Sequence, residues 1–243
     1  MTNTLQEFVG NGDKPGQIDL KGGEILLLDK PGGWSSFDVI RYLKKGLREK
    51  KFGHAGTLDP LASGLLIICS GKATKRLQEF QDMEKTYTGT IQLGAETPSY
   101  DAETEIEMEH PVDHITAEMV NETTGKFTGE IEQIPPAYSA IKQKGQRSYE
   151  RARKGEEFAL EGRKVYIHKF EITRFELPEV DFLVQCSKGT YIRSLANDFG
   201  KALNSGGYLS GLRRTAIGHY DVSQALSPHD MVNKIRAQQN QQS

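Results

Sequence analysis

The sequence predicts an α+β protein with a mixed, mainly antiparallel sheet flanked by helices. Apolar runs and alternating segments that are typical of strands recur along the 243-residue chain. Segments with apolar residues at helical spacing lie between them in irregular order, and several of the strand-like segments follow one another as hairpin-like pairs. Irregular order combined with hairpins favours an α+β architecture.

The first half of the chain alternates between strand and helix patterns. Strands are predicted at residues 24–28, 65–69 and 85–93. In the last of these, Tyr87, Ile91 and Leu93 alternate with threonine and glutamine, which predicts a half-buried strand. Helices are predicted at residues 37–47, where Ser35 or Ser36 supplies an N-cap, at 74–80 and at 115–124.

The second half contains a segment that leaves the predicted core. In residues 125–160 apolar residues become scarce, two adjacent prolines interrupt the chain and basic residues accumulate. Strand patterns return at residues 165–175 and 182–186, followed by a helix at 191–203 and a last strand at 216–222. We therefore expect one domain at residues 23–232, with an insertion at about 125–160, between a flexible arm (1–22) and a polar tail (233–243).

Bulk composition indicates a soluble globular protein. Hydrophobic residues make up 36% and charged residues 26% of the chain, and the formal net charge is −2. No apolar stretch approaches the roughly 18 residues that a membrane span needs, and no signal peptide is visible at the N-terminus. Cys69 and Cys186 both lie in apolar, strand-like runs, which predicts buried free thiols in a reducing cytoplasm.

Charge is distributed unevenly. Residues 96–109 carry six acidic side chains and no lysine or arginine. Residues 142–154, here called the basic segment, carry six cations against Glu150: Lys142, Lys144, Arg147, Arg151, Arg153 and Lys154. Such a segment can steer a polyanion although the total charge is near zero. The alternative is a solvated basic helix face.

The most informative run is Gly-His-Ala-Gly-Thr-Leu-Asp-Pro-Leu-Ala-Ser-Gly at residues 53–64. It places one carboxylate, Asp59, on a constrained loop directly before a predicted buried strand. A fixed acid of this kind suits a nucleophile. Taken alone, however, an Asp-Pro pair in a loop is more often an aspartate that caps a turn.

This run resembles the catalytic motif of the TruB family of tRNA pseudouridine synthases. Four further motifs match in family order: residues 25–32 the lysine-proline motif that contains Lys30, residues 85–87 the tyrosine motif, residues 187–195 the arginine motif, and residues 212–214 the late leucine-arginine motif. Because the matches span residues 24–220, the resemblance favours the catalytic interpretation of Asp59.

The resemblance implies a pseudouridine synthase fold with a catalytic cleft, and isomerisation of uridine to pseudouridine at position 55 of the tRNA T-loop. Neither a cofactor nor a metal is implied, and no nucleotide-binding motif or metal-ligand spacing is visible. Asp59, its charge partner Arg193 and the possible base Tyr87 are implied as catalytic. The implied substrate-binding residues are His54, Tyr87, Tyr191, Leu212 and Lys30, and the basic segment is expected to bind the tRNA T-arm.

Three points stay open at the level of sequence. Asp59 can attack ribose C1′ or uracil C6, or can stabilise charge on the sugar in a glycal route. The chain ends soon after the last predicted strand, so we expect no C-terminal RNA-binding domain of the PUA type, and we expect a monomer. Two other functions compete: a tRNA-folding chaperone whose binding is separable from catalysis, and a synthase that acts on another RNA with guide and partner proteins.

Overall fold

A computed structural model describes residues 18–139, 142–143, 146–152, 154, 156, 158 and 160–240. The described part contains six α-helices: Ser36–Leu47 (α1), Leu77–Asp82 (α2), Ala117–Lys126 (α3), Ser148–Ala152 (α4), Ile192–Ala202 (α5) and Pro228–Asn240 (α6). It also contains thirteen strands: Ile25–Lys30 (β1), Phe52–His54 (β2), Ser63–Ser70 (β3), Lys85–Leu93 (β4), Ala95–Glu96 (β5), Met108–Glu109 (β6), Gly129–Gln133 (β7), Lys142–Gln143 (β8), Gln146–Arg147 (β9), Arg163–Glu176 (β10), Glu179–Cys186 (β11), Gly207–Ile217 (β12) and Tyr220–Asp221 (β13).

The chain divides into two compact units. Unit 1 comprises the described residues of Met1–Thr86 and Arg213–Ser243, and unit 2 those of Tyr87–Leu212. Strands β4 and β12 each contain a point where the chain passes from one unit to the other.

Strand β3 is the centre of unit 1. It pairs in antiparallel fashion with β1 over six residue pairs and with β2 over three. Near its start it pairs in parallel with β12, where Arg213 lies opposite Ser63 and Arg214 opposite Gly64. The chain between β2 and β3 is the loop that carries Asp59, so both ends of this loop are fixed in the sheet.

Both faces of the β1–β3 pair are buried, which explains the uninterrupted apolar run at its centre. Leu66 and Ile68 on one face belong to a core cluster with side chains of α1 and α6. Leu65 and Ile67 on the other face pack in a second cluster that includes Phe80 and Ile217. Cores on both sides make this sheet a rigid support for its loops.

Helix α1 begins as its sequence predicts. The Ser35 hydroxyl accepts a hydrogen bond from the Asp38 N–H at 3.1 Å, and the Asp38 carboxylate accepts one from the Ser35 N–H at 2.9 Å. This reciprocal arrangement is a capping box. It fixes the orientation of Ser36, the first residue of the helix.

Unit 2 is built on an antiparallel set of strands. Within it the order is β12, β4, β11, β10, β7. Strands β10 and β11 form a long hairpin, and β10 also pairs with β7. Phe199 of α5 contacts Phe170 of β10 with ring centroids 5.2 Å apart, so α5 packs its apolar side on this sheet.

The structure confirms the predicted fold class and most elements, with β4 matching its predicted bounds. Residues 129–133 form β7 and pair with β10, so the part that lies outside the sheet begins after Gln133 rather than at residue 125. This edge strand escaped the prediction because Ile131 is its sole apolar side chain. The last predicted strand, 216–222, proves to be the end of β12, a turn and β13.

Both predicted termini of the domain are corrected. Ile18 and Leu20 fell in the predicted flexible arm, yet they are buried in the core of unit 1. The predicted tail begins inside α6, where Ile235 is completely buried. Two sequence signals mark the N-terminus of α6. The Ser227 hydroxyl accepts a hydrogen bond from the Asp230 N–H, and Pro228 is the first helical residue.

Cys69 and Cys186 are buried free thiols, as predicted. Among the helices of the described residues, none has the length and apolarity required to cross a membrane.

The burial of Ile235 predicts that α6 stabilises unit 1. Ile235→Ala should lower the free energy of unfolding by about 2–4 kcal/mol, because it removes buried methyl groups and leaves a cavity. Urea denaturation measures the change, with the exposed Asn240→Ala as the control on the same helix. If Ile235→Ala lowers the free energy of unfolding no more than the control does, residues 233–240 are dispensable for stability, as a polar tail would be.

Candidate active site

The residue before Asp59 is anchored to helix α1. The Ser36 hydroxyl donates to the Leu58 carbonyl at 3.1 Å and accepts from the Leu58 N–H at 2.9 Å. Leu58 and Ser36 are both buried. One hydroxyl therefore satisfies both backbone groups of Leu58 and fixes the chain where Asp59 begins.

The residue after Asp59 is anchored as well. The Pro60 carbonyl accepts a hydrogen bond from the Gly33 N–H at 2.8 Å. The ammonium of Lys30 lies 3.4 Å from the same oxygen and also donates to the carbonyls of Trp34, at 2.5 Å, and Pro31, at 2.9 Å. With both neighbours held, half-buried Asp59 sits on a backbone that has little freedom to move.

Lys30 itself is completely buried. Burial lowers the pKa of its ammonium to about 8, and the negative charge of Asp59 acts in the opposite direction. The hydrogen bonds of Lys30 hold the Asp59 loop, and its predicted contact with the substrate stays a prediction. Its positive charge lies close enough to Asp59 for the two charges to interact.

A second buried cation, Arg214, holds the other side of the loop. Its guanidinium donates to the Leu65 carbonyl at 2.8 Å and to the Gly56 carbonyl at 3.2 Å. Gly64 faces Arg214 across the parallel pairing, and a Cβ on Gly64 would come within 2.3 Å of the Arg214 carbonyl oxygen. Its φ of +103° also lies in a region that favours glycine.

Two further side chains of unit 1 border the same loop. His54, the last residue of β2, is half-buried, and burial together with the charge of Arg214 lowers the pKa of its imidazole. The ring is therefore neutral near pH 7. Arg213 pairs with both carboxylate oxygens of Asp29, at 3.0 and 2.7 Å, which links β12 to the end of β1.

In unit 2, Arg193 lies in the first turn of α5 and is buried. Its guanidinium donates to the carbonyls of Ser99, at 3.1 Å, and Tyr138, at 2.9 Å, and forms an ion pair with Asp101 at 3.5 Å. A cation at a helix N-terminus needs such compensation. The pairing of Arg193 with Asp59 that the sequence predicts stays a prediction.

Asp101 is a site residue that sequence reasoning missed. It is one of the six acids of residues 96–109, and it is the buried member of that set. Its carboxylate accepts hydrogen bonds from the Ser99 hydroxyl, at 2.6 Å, and the Glu103 N–H, at 2.9 Å. Nothing in the local pattern distinguishes it, since its partner Arg193 is distant in sequence.

The predicted pocket residues of unit 2 differ in exposure. Tyr87 on β4 is buried, with 8% of its surface exposed. Tyr191 precedes α5 and is half-buried, with its ring 4.3 Å from the Arg163 guanidinium. Leu212 on β12 is half-buried. None of the three is freely exposed, and their place in a substrate pocket stays a prediction.

The basic segment is described in part. Lys142 and Arg147 are paired across the short β8–β9 hairpin, and Lys154 is exposed. Arg151 forms an ion pair with Glu156 at 2.8 Å and stacks on Phe158 at 4.3 Å, so its charge is partly used within the segment. Lys144 and Arg153 lie outside the described residues.

The buried Lys30 predicts a specific pH dependence of stability. Its pKa is lower in the folded chain (about 8) than in the unfolded chain (10.5), so the unfolded state binds more protons between these values. The Lys30 contribution to the free energy of unfolding should therefore rise with pH across this window. Relative to Lys30→Met, the wild type should gain about 1–3 kcal/mol between pH 7.5 and 10 in urea denaturation. A constant or shrinking difference would contradict the depressed pKa.

Known proteins share both the sequence and the fold. Residues 44–192 match the model of the TruB family pseudouridylate synthase (N-terminal domain). A tRNA pseudouridine synthase B from Flavobacterium johnsoniae is 58% identical over 211 residues, covering 84% of this chain and 92% of the relative. The protein of the same name from Bacteroides fragilis is 50% identical over 217 residues, covering 87% and 93%.

Solved structures of similar fold are known. A chain in the crystal structure of a Cbf5–Nop10–Gar1 complex superposes with a TM-score of 0.69 at 31% identity, covering 88% of this chain and 54% of that one. A chain of an archaeal box H/ACA Nop10–Cbf5 complex gives a TM-score of 0.67 at 26% identity, covering 91% and 56%. The family match includes more than half of the chain, and the relatives align over nearly their whole length. The chain belongs to the TruB family of pseudouridylate synthases.

Proposed function

We propose that this protein converts uridine 55 in the T-loop of tRNA to pseudouridine, with Asp59 as the catalytic carboxylate. The observation that carries the proposal is the fixation of Asp59, whose two neighbours are hydrogen-bonded to Ser36, Gly33 and Lys30. Relatives named tRNA pseudouridine synthase B align over more than 90% of their own length, which favours tRNA over other RNAs as the substrate.

The reaction requires a fixed anion rather than a cofactor. The bond from uracil N1 to ribose C1′ breaks, the base turns, and a bond forms from C5 to C1′. The proton on C5 is lost and N1 gains one, so the change is an isomerisation without net redox chemistry. Asp59 supplies the charge that either bonds to the substrate or stabilises the cleaved sugar.

We assign the other roles by the same family match. Tyr87 stacks on the extruded uracil and accepts the C5 proton, while Arg193 binds the Asp59 carboxylate in the reacting complex. His54, neutral near pH 7, supports the displaced nucleotide, and Tyr191 and Leu212 form walls of the pocket. Extruding a stacked base costs a few kcal/mol, which stacking and phosphate contacts must offset.

The basic segment is proposed to bind phosphates of the T-arm. Lys154 is exposed, and Lys142 and Arg147 are opposite each other in the β8–β9 pairing. Lysine and arginine commonly bind phosphates, and phosphate contacts position a protein on its nucleic acid without reading bases. Arg151 forms an ion pair with Glu156, so part of its charge is used within the segment. The proposed partner is the T-arm of tRNA. We propose that the protein binds it as a monomer and requires no metal.

Asp59→Asn is the decisive test of the chemistry. The change keeps the side-chain size but removes the charge, so tRNA affinity should stay nearly constant while product falls to background. Single-turnover release of tritium from tRNA labelled at uridine C5 measures the reaction, and filter binding measures affinity. Freshly prepared protein must be checked by mass spectrometry for deamidation back to aspartate.

The exposed Asp113→Asn in unit 2 is the matched control and should behave as the wild type. Appreciable single-turnover product from verified Asp59→Asn would exclude Asp59 as the catalytic residue. Loss of binding together with product would instead assign the loop a structural role. A wild type that binds and folds tRNA without forming pseudouridine would favour the chaperone function.

The phosphate contacts predict a change in salt dependence. Replacing Lys142, Arg147 and Lys154 by alanine should weaken tRNA binding and reduce the slope of log K against log salt by about 0.7–0.9 for each phosphate that is no longer neutralised. Binding is measured between low and moderate salt, with Lys44, Lys45 and Lys50 of unit 1 replaced together as the control. A slope equal to that of the wild type would show that the segment is a solvated face.

A further inference from the structure

The start of α5 contacts two residues, Gln133 and Arg163, that flank the segment containing the basic residues. Gln133 is the last residue of β7 and Arg163 the first residue of β10, and the two are directly opposite each other in the antiparallel pairing. The chain leaves the sheet after Gln133 and returns to it at Arg163. Both side chains of the pair contact Tyr191 or its immediate neighbours.

Gln133 binds the backbone of Tyr191 with both ends of its amide. Its oxygen accepts from the Tyr191 N–H at 2.7 Å, and its nitrogen donates to the Tyr191 carbonyl at 3.0 Å. Only 1% of the surface of Gln133 is exposed. Because one group must accept and the other must donate, the amide orientation is fixed, and glutamine alone among side chains of this length supplies both groups without charge.

Arg163 holds the ring and the preceding turn. Its guanidinium lies 4.3 Å from the centroid of the Tyr191 ring, and it donates a hydrogen bond to the Gly189 carbonyl. Gly189 has a φ of +81°, and a Cβ there would lie 3.8 Å from the guanidinium carbon. Arg163 therefore contacts both the backbone of the turn before α5 and the ring that follows it.

The next residues along the two segments continue the contact. The Ser194 hydroxyl donates to the Ile134 carbonyl at 2.7 Å, and the Arg193 guanidinium donates to the Tyr138 carbonyl at 2.9 Å. Residues 133–138 thus run beside the start of α5 and bind it repeatedly. Any shift of this segment moves a direct hydrogen-bond partner of Arg193.

We propose that Gln133 and Arg163 are positioning residues that hold Tyr191 and Arg193 in the geometry that pseudouridine formation requires. The inference rests on the proposed function, in which Tyr191 lines the pocket and Arg193 binds the catalytic carboxylate. We assign neither positioning residue a contact with the substrate.

A purely structural role is the weaker explanation of these contacts. A buried amide and a guanidinium cost desolvation that an apolar side chain would avoid. Both direct their polar contacts to the turn before α5 rather than to the sheet. A guanidinium such as that of Arg193 binds a carboxylate through a planar fork, so its orientation matters as much as its charge. A displacement of about 1 Å at such a group can cost about 10²-fold in rate.

The test measures rate, affinity and local structure separately in the full chain. In Gln133→Met, a side chain of similar length, we expect the single-turnover rate constant at saturating tRNA to fall about 10²-fold, with Kd within about threefold of the wild type. Gln133→Glu keeps the acceptor for the Tyr191 N–H and should retain more activity. Arg163→Lys, which keeps the charge and removes the planar group, should reduce the rate without reducing affinity.

Hydrogen exchange at the Tyr191 amide supplies a readout that does not depend on activity. In the wild type this N–H bonds to a buried acceptor, and in Gln133→Met its exchange should accelerate about tenfold or more while the strands of unit 2 stay protected. Gln92→Met, at a half-buried position on β4, is the matched control and should change neither rate nor exchange.

The outcomes separate the two proposals. Wild-type rate in Gln133→Met together with faster Tyr191 exchange would overturn the positioning role, as would unchanged exchange at Tyr191. If Gln133→Met proves too unstable to purify, Gln133→Glu and Arg163→Lys decide the question by the same split between rate and affinity. A wild type that binds tRNA but forms no pseudouridine would refute the proposed function, whereas the exchange at Tyr191 still tests the contact itself.

Discussion

The loop that carries Asp59 depends on two buried cations that bind backbone carbonyls. A loop packed against a buried strand has carbonyl groups without ladder partners, and such groups are costly to leave unpaired. Lys30 donates to the carbonyls of Pro31, Trp34 and Pro60, and Arg214 donates to those of Gly56 and Leu65. The two side chains thereby hold the backbone on both sides of Asp59, and they bring positive charge into the same region.

This arrangement ties the chemistry of the loop to its stability. Burying a cation is unfavourable, and the lowered pKa of Lys30 is the direct sign of that penalty. The charge of Asp59 acts against the penalty, and in return a nearby cation favours the ionised form of a carboxylate. A nucleophile requires that form. The cores on both faces of the β1–β3 pair bury many apolar side chains, and burial of apolar surface is the main favourable term that offsets the cost of the buried charges.

Unit 2 uses the same strategy with different groups. Arg193, Asp101, Ser99 and Gln133 are all buried polar residues, and their hydrogen bonds converge on the first turn of α5 and the segments beside it. A buried network is stable when each of its donors and acceptors has a hydrogen-bond partner, and it then specifies one geometry. In each unit, several buried polar groups therefore lie beside the segment that carries proposed site residues.

The sequence by itself determined the local elements and the family. The capping serine of α1, the alternation of β4, the apolar run of β3 and the motif around Asp59 are all encoded within a few residues, and each was predicted. Only the tertiary structure decided that Lys30 is buried, that Asp101 faces Arg193 and that Gln133 binds Tyr191. It also decided that residues 129–133 and 228–240 form β7 and α6. These features depend on partners distant in the chain, 58 residues apart for Gln133 and Tyr191 and 158 for Gly56 and Arg214. The local sequence pattern indicates which face of a helix or strand is apolar. A buried polar contact depends in addition on a partner from a distant part of the chain, which is adjacent only after folding.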